Sequence, residues 1–211
     1  MKIVPVIYAH STLPESMVFA GGAKEKRIPI DFILYYTETD GRRILIDAGC
    51  DTMPGFDMVD FVGPVAALSA HGIDKDSITD VIITHAHHDH IEGVHHFPRA
   101  TIHIQKDEYE RGKKHIPEGF RVNTFDEVLP LCRGVLVRSI GGHSVGSCIV
   151  ELDGDDTTYV VSGDECYSRR CLDEYILTGS SVCPEKSRAF LEKYRAPEYT
   201  VLLCHESSPV R

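Results

Sequence analysis

The stretch Thr84-His85-Ala86-His87-His88-Asp89-His90 constrains this chain more than any other feature of its sequence, and it follows directly on the apolar run Val81-Ile82-Ile83. Successive side chains of a strand point to opposite faces. A strand ending at Thr84 therefore aims His85 and His87 to one side, and the turn that follows swings Asp89 and His90 past them toward a second position. Imidazole and carboxylate suit Zn²⁺, and Fe or Mn are compatible with the same donors. Histidine-rich tracts also occur as solvated loops, and the chain has 12 His in all. Four ligand-type residues in fixed register, between a β-branched run and Gly93, set this motif apart from such tracts. The expectation is a metal site at the end of a strand.

A chain of 211 residues fits one domain, spanning 1–211, with a full core. Its hydrophobic content of 42% and charged content of 26% are those of an ordinary globular protein. The formal net charge of -10 argues against a nucleic-acid partner and leaves a small-molecule substrate as the expectation. The N-terminal apolar run is short and interrupted by Pro5, so it reads as a first strand rather than a signal peptide. No stretch approaches the length needed to cross a bilayer, and no membrane partner is expected. The seven Cys are odd in number and include no Cys-x-x-Cys pair. They read as reduced thiols in a cytoplasmic protein.

Residues 11–26 are polar and contain Gly21-Gly22, yet carry Leu13, Met17, Val18 and Phe19. The segment reads as a long loop, either a lid or a piece folded onto the core, with the lid favoured. Apolar runs at 30–37 and 43–47, joined through Asp40-Gly41, predict a hairpin. Pro64 and Gly72 bracket a helix. A strand is expected at 101–104 and a charged helix at 106–114, while 125–131 gives no clear signal. In the last third, β runs end at Gly142-His143, at Gly163-Asp164 and, after a helix over 185–194, at Cys204-His205. Separate strands thus deliver ligand-type residues to what can be one edge. Strands and helices interleave, so the class is α/β or α+β with sheet at the centre.

Taken together, His85-x-His87-x-Asp89-His90, Gly142-His143-Ser144-x-Gly146-Ser147, Ser162-Gly163-Asp164, His205 and the upstream Leu45-Ile46-Asp47-Ala48-Gly49 resemble the metallo-β-lactamase-fold hydrolases. The pattern is closest to their N-acyl homoserine lactonase branch, and it runs from about residue 28 to 206. The resemblance implies a four-layered αββα sandwich with a binuclear site on one edge. By position, His85, His87 and His143 would hold one metal, Asp89, His90 and His205 a second, and Asp164 would bridge both. Two divalent ions, in the first place Zn²⁺, are the implied cofactor. Asp47 matches a carboxylate that orients a ligand His, or else forms the turn before Gly49.

The implied chemistry is attack by a metal-activated hydroxide on the carbonyl of a lactone or ester. Asp89 would orient the nucleophile and carry its proton to the leaving group. Tyr167, three residues after Asp164, would donate a hydrogen bond at the substrate carbonyl; the alternative is a Tyr packed on the sandwich edge. The apolar residues Met17 and Phe19 are expected at the substrate, and a homodimer is compatible with that loop and with lactonase relatives. A thioesterase of glyoxalase II type and a mononuclear iron oxygenase of persulfide-dioxygenase type are the alternatives. His88, His95 and His96 are out of register and read as solvated or core residues. Cys166 and Cys204 read as packing residues. The sequence departs from the lactonase pattern at Ile91-Glu92-Gly93 and at Cys204, which precedes the closing His.

Overall fold

The central strands of this chain are apolar on both faces, and the two sets of side chains go to different cores. In the computed structural model, which describes residues 1–207, a first sheet contains β1 (Ile3–Pro14), β2 (Arg27–Thr39), β3 (Arg42–Ile46), β4 (Asp80–Ile83), β5 (Thr101–Gln105) and β6 (Arg121–Phe125), in that spatial order. β1, β2 and β3 are antiparallel, and β3 to β6 are parallel. A second sheet contains β7 (Val128–Cys132), β8 (Val135–Ser139), β9 (Cys148–Asp153), β10 (Thr158–Val161) and β11 (Tyr199–Leu202), in the reverse order.

Ile44, Ile46 and Ile82 of the first sheet form one buried cluster with Val137, Val150, Val161 and Leu202 of the second. Their neighbours in sequence, Leu45, Val81 and Ile83, point the other way. They pack with Leu68 of α2 (Pro64–Ala70) and Ile91 of α3 (His88–Ile91). Val160 and Val201 likewise turn outward into the cluster that holds Phe190, Leu191 and Tyr194 of the helix Pro184–Tyr194. The result is helix, sheet, sheet, helix, the αββα sandwich expected from the resemblance. Each fully buried aliphatic side chain contributes roughly 1.5–3 kcal/mol. Among the described residues no helix is long and apolar enough to cross a membrane.

The expected hairpin forms, with Asp40 and Gly41 both at positive φ (51° and 71°), as the tight turn between twisted strands requires. Residues 125–131 resolve into the end of β6 and the start of β7. The lid over 11–26 is corrected. β1 runs through Pro14, paired with the start of β2, and a single turn, α1 (Glu15–Val18), follows. Val18 and Phe19 are 1% and 6% exposed. Apolar side chains at that density gain more from burial than from a mobile loop. At one edge the backbones of the sheets meet: the amides of Asp31 and Ile33 on β2 donate to the carbonyls of His205 and Cys204, and the Cys148 amide donates to Thr84. The ligand-type residues lie along that edge.

Candidate metal centre

Directly after β4 and Thr84, His85 is fully buried while His87 is exposed at the rim. Nε2 of His85 lies 2.9 Å from Nδ1 of His87, and Nε2 of His143, from the loop between β8 and β9, lies 2.9 Å from the same atom. Oδ2 of Asp164, just past β10, lies 3.6 Å from His85 Nε2 and 3.4 Å from His143 Nε2. The outer nitrogens face hydroxyls: His85 Nδ1 is 3.1 Å from Thr84 Oγ1, and His143 Nδ1 is 3.3 Å from Ser180 Oγ. Three imidazoles aim ring nitrogens at one point.

A second group shares the other oxygen of Asp164. Oδ1 is 3.2 Å from His90 Nε2 and 3.1 Å from His205 Nε2, and Asp89 Oδ2 lies 3.5 and 3.6 Å from the same nitrogens. His205 Nδ1 donates to the Asp31 carbonyl (2.9 Å), which aims its Nε2 at the carboxylates. His90 Nδ1 is 2.7 Å from Asp47 Oδ2. Asp47 also accepts from the Thr84 amide and hydroxyl (2.8 and 2.9 Å), so it holds the turn and the His90 ring together. His90 Nε2 and Asp164 Oδ1 are buried without a well-directed hydrogen bond. Buried polar atoms in proteins are as a rule paired, and a cation between these two satisfies both.

The electrostatics of the two groups differ. Burial pushes His85 well below the ordinary histidine range, and burial takes His143 down to about 4, so both stay neutral with lone pairs available. For His90 and His205 burial also opposes charge, but the surrounding carboxylates, Asp164 first and Asp89 with it, together outweigh it and raise both. Burial raises Asp164, and the surrounding His205, His90 and His85 pull it well below the carboxylate range. The protein thus gathers negative charge where positive charge is needed. Divalent cations meet that need, and the donor set of imidazoles and carboxylates fits zinc.

Two buried glutamates that the sequence reading passed over fix the ligand loops. Glu108, 1% exposed on α4 (Lys106–Gly112), accepts from the Ala86 amide (2.8 Å), the Ser144 hydroxyl (2.7 Å) and the Gly146 amide (2.9 Å). It therefore ties the His85–His87 turn to the His143 loop. Glu165 accepts from the amides of Gly142 and His143 (both 3.0 Å) and from Ser147 Oγ (2.5 Å). Glu108 stood in a charged stretch that reads as a solvated helix. Gln105, whose side chain accepts from the amides of Asp107 and Glu108, marks where α4 begins and not which face it buries.

A cavity of about 260 Å³ opens onto both groups, walled by Leu13, Met17, Ile30, Phe32, Met53 and Phe56. Met17, expected at the substrate, lines this cavity. Phe19, expected there too, lies instead in the core with the Arg170 guanidinium 4.8 Å over its ring, and it does not line the cavity. Met53 and Phe56, on the loop after β3, were not foreseen, and neither was His88, which also lines the cavity. Tyr167 lines it too, donating to Asp164 Oδ2 (2.8 Å) and stacked on His205 with ring centres 5.0 Å apart. Burial, then Asp164, raises its hydroxyl well above the ordinary phenol range, so it remains a donor. Cys166 and Cys204 are buried packing residues.

The sequence matches the metallo-beta-lactamase superfamily over residues 32–205. The fold superposes on several solved structures. One is a mutant of AiiA from B. thuringiensis with N-decanoyl-L-homoserine bound at its active site (TM-score 0.84, 19% identity, 97% of this chain and 92% of that one). Another is a probable metal-dependent hydrolase from Staphylococcus aureus (0.81, 18%, 97% and 88%). A third is AidC, a dizinc quorum-quenching lactonase in complex with N-hexanoyl-L-homoserine (0.70, 18%, 91% and 81%). No curated protein matches the chain by sequence. With the family pattern spanning most of its length and the sandwich built as that pattern requires, the chain belongs to the metallo-beta-lactamase superfamily.

Proposed function

We propose that this metal-dependent hydrolase opens a small, largely apolar lactone or ester at two divalent ions, in the first place Zn²⁺. The observation that carries the reading is Asp164, whose two carboxylate oxygens face two separate histidine groups. In this reading His85, His87 and His143 would hold one ion, Asp89, His90 and His205 the other, and Asp164 would offer one oxygen to each group. Bound there, the ions supply an acidified water and polarise a carbonyl.

The rest falls to the chain. The apolar wall of Met17, Phe32, Met53 and Phe56 excludes water and orients the substrate carbonyl. Tyr167, protonated at neutral pH, turns its hydroxyl from Asp164 to the oxygen that gains charge. Asp89 accepts the proton of the attacking water and passes it to the leaving alkoxide. The water oxygen bonds to the carbonyl carbon and the acyl carbon–oxygen bond breaks, so a lactone leaves as one hydroxy acid and an open ester as an acid and an alcohol. The lactonases of like fold bind N-acyl homoserine products, which supports the same substrate class here. Seven free cysteines support a reducing, cytoplasmic setting.

The test is elemental analysis of protein purified without added metal, paired with hydrolysis of lactones, thioesters and aryl esters. Two equivalents of metal with lactone opening are expected. A preference for thioesters moves the chain to the glyoxalase II type, and one iron without hydrolysis overturns the binuclear reading in favour of an oxygenase.

A further inference from the structure

A second cluster of donors lies outside the centre and its cavity. Asp51, on the loop after β3, and His95 and His96, in the turn after α3, bring one carboxylate oxygen and two imidazole nitrogens within 4.8 Å of one another. Nε2 of His96 is 2.9 and 3.0 Å from the two oxygens of Asp51, and Nε2 of His95 is 3.2 Å from Oδ2. The two rings lie against each other with centres 4.0 Å apart.

The other nitrogen of His95 decides what this geometry means. Its Nδ1 is 2.9 Å from the Glu92 carbonyl, which only accepts, so Nδ1 carries the proton. A neutral His95 then turns the lone pair of Nε2 toward a carboxylate oxygen. Lone pair against lone pair at that distance is repulsive, and it is relieved either by a second ring proton or by a shared cation. A histidine whose Nδ1–H is held by a backbone carbonyl while Nε2 stands free is oriented as metal-ligating histidines are. Asp51 is pre-set as well, because its amide donates to Glu92 Oε2 (2.7 Å). The three side chains are between a quarter and under half exposed (42% for Asp51, 38% for His95, 26% for His96). Water can therefore complete a coordination shell at little desolvation cost.

We propose that Asp51, His95 and His96 form a peripheral site for a divalent transition-metal ion of the Zn²⁺ type, separate from the centre that Asp164 spans. Three protein ligands with open positions match an accessible tetrahedral site. The ion clamps the loop after β3 to the turn after α3. That loop carries Met53 and Phe56, which wall the cavity, so occupancy of the peripheral site stiffens the substrate wall without touching the reacting atoms.

The test is a Zn²⁺ titration, by calorimetry and elemental analysis, of the full chain and of the double variant Asp51→Asn/His96→Gln. The intact chain is expected to take up one equivalent more than the variant, however many ions the main centre holds. Its melting temperature is expected to keep rising over a zinc range in which the variant's is flat. His95→Gln, which leaves the carboxylate in place, is expected to weaken uptake of that same equivalent at least ~10-fold. Equal stoichiometry in all three proteins, with folding checked by circular dichroism, overturns the proposal and assigns the cluster to a protonated His95 paired with Asp51.

Discussion

Asp47 shows how much one residue can carry. It sits at φ 61°, a left-handed conformation that Asp tolerates better than most residues, and from there its carboxylate reaches Thr84 and His90. Both sequence readings of Asp47, turn former and orienting carboxylate, describe the same geometry. The ligand-type residues were legible because imidazole and carboxylate in fixed register have few other uses. Glu108 and Glu165 were not, since a lone glutamate in a polar stretch has the same appearance whether it faces solvent or three buried donors. Phe19 misled for the opposite reason: an aromatic in a polar segment is equally at home in a core. Tyr167 is the sharpest test at this scale. Tyr167→Phe is expected to lower the hydrolysis rate on the true substrate by roughly 10²-fold, with metal content unchanged by elemental analysis. Unchanged kinetics would remove it from the mechanism.

At the scale of elements, strands were read well where the apolar run is continuous, as in β3 and β4, and poorly where one face is polar. The end of β1, Ser11-Thr12, looks like loop because it lies at the sheet's edge, with one face toward water and only β2 beside it. α4 shows the reverse: legible as a helix, illegible as a brace. Its Glu108 accepts donors from both ligand loops at once. Glu108→Gln places an amide N–H opposite one of those donors, and a buried donor left unpaired costs about 1–3 kcal/mol. The variant is expected to bind metal ~10–100-fold more weakly while its far-ultraviolet circular dichroism stays that of the intact chain. Competition with a chromophoric chelator reads the difference. Gly93 marks how tightly this region is built, because a Cβ there would fall on the Ala48 carbonyl oxygen.

For the molecule as a whole, the layer order was legible because the apolar residues of β2, β3, β4 and β10 divide by parity between two cores. What covers each face, and which loop walls the cavity, depended on tertiary packing that no local pattern encodes. Each of the two ions proposed at the Asp164 centre draws on both sheets: His85, His87, Asp89 and His90 follow β4, while His143, Asp164 and His205 follow strands of the second sheet. Ligands that bind only the folded state stabilise it by mass action, about 2.7 kcal/mol at a hundredfold excess over the dissociation constant. Stripping the metal with a chelator is therefore expected to lower the melting temperature by roughly 5–10 °C, measured by calorimetry against the metal-loaded protein. The same division of ligands sets an order on the chain's history. Neither sheet alone presents a complete nest for either ion of that centre, so capture there must await the pairing of the two halves. Metal uptake then serves as proofreading: a chain that has acquired its ions has already brought its distant strands into register.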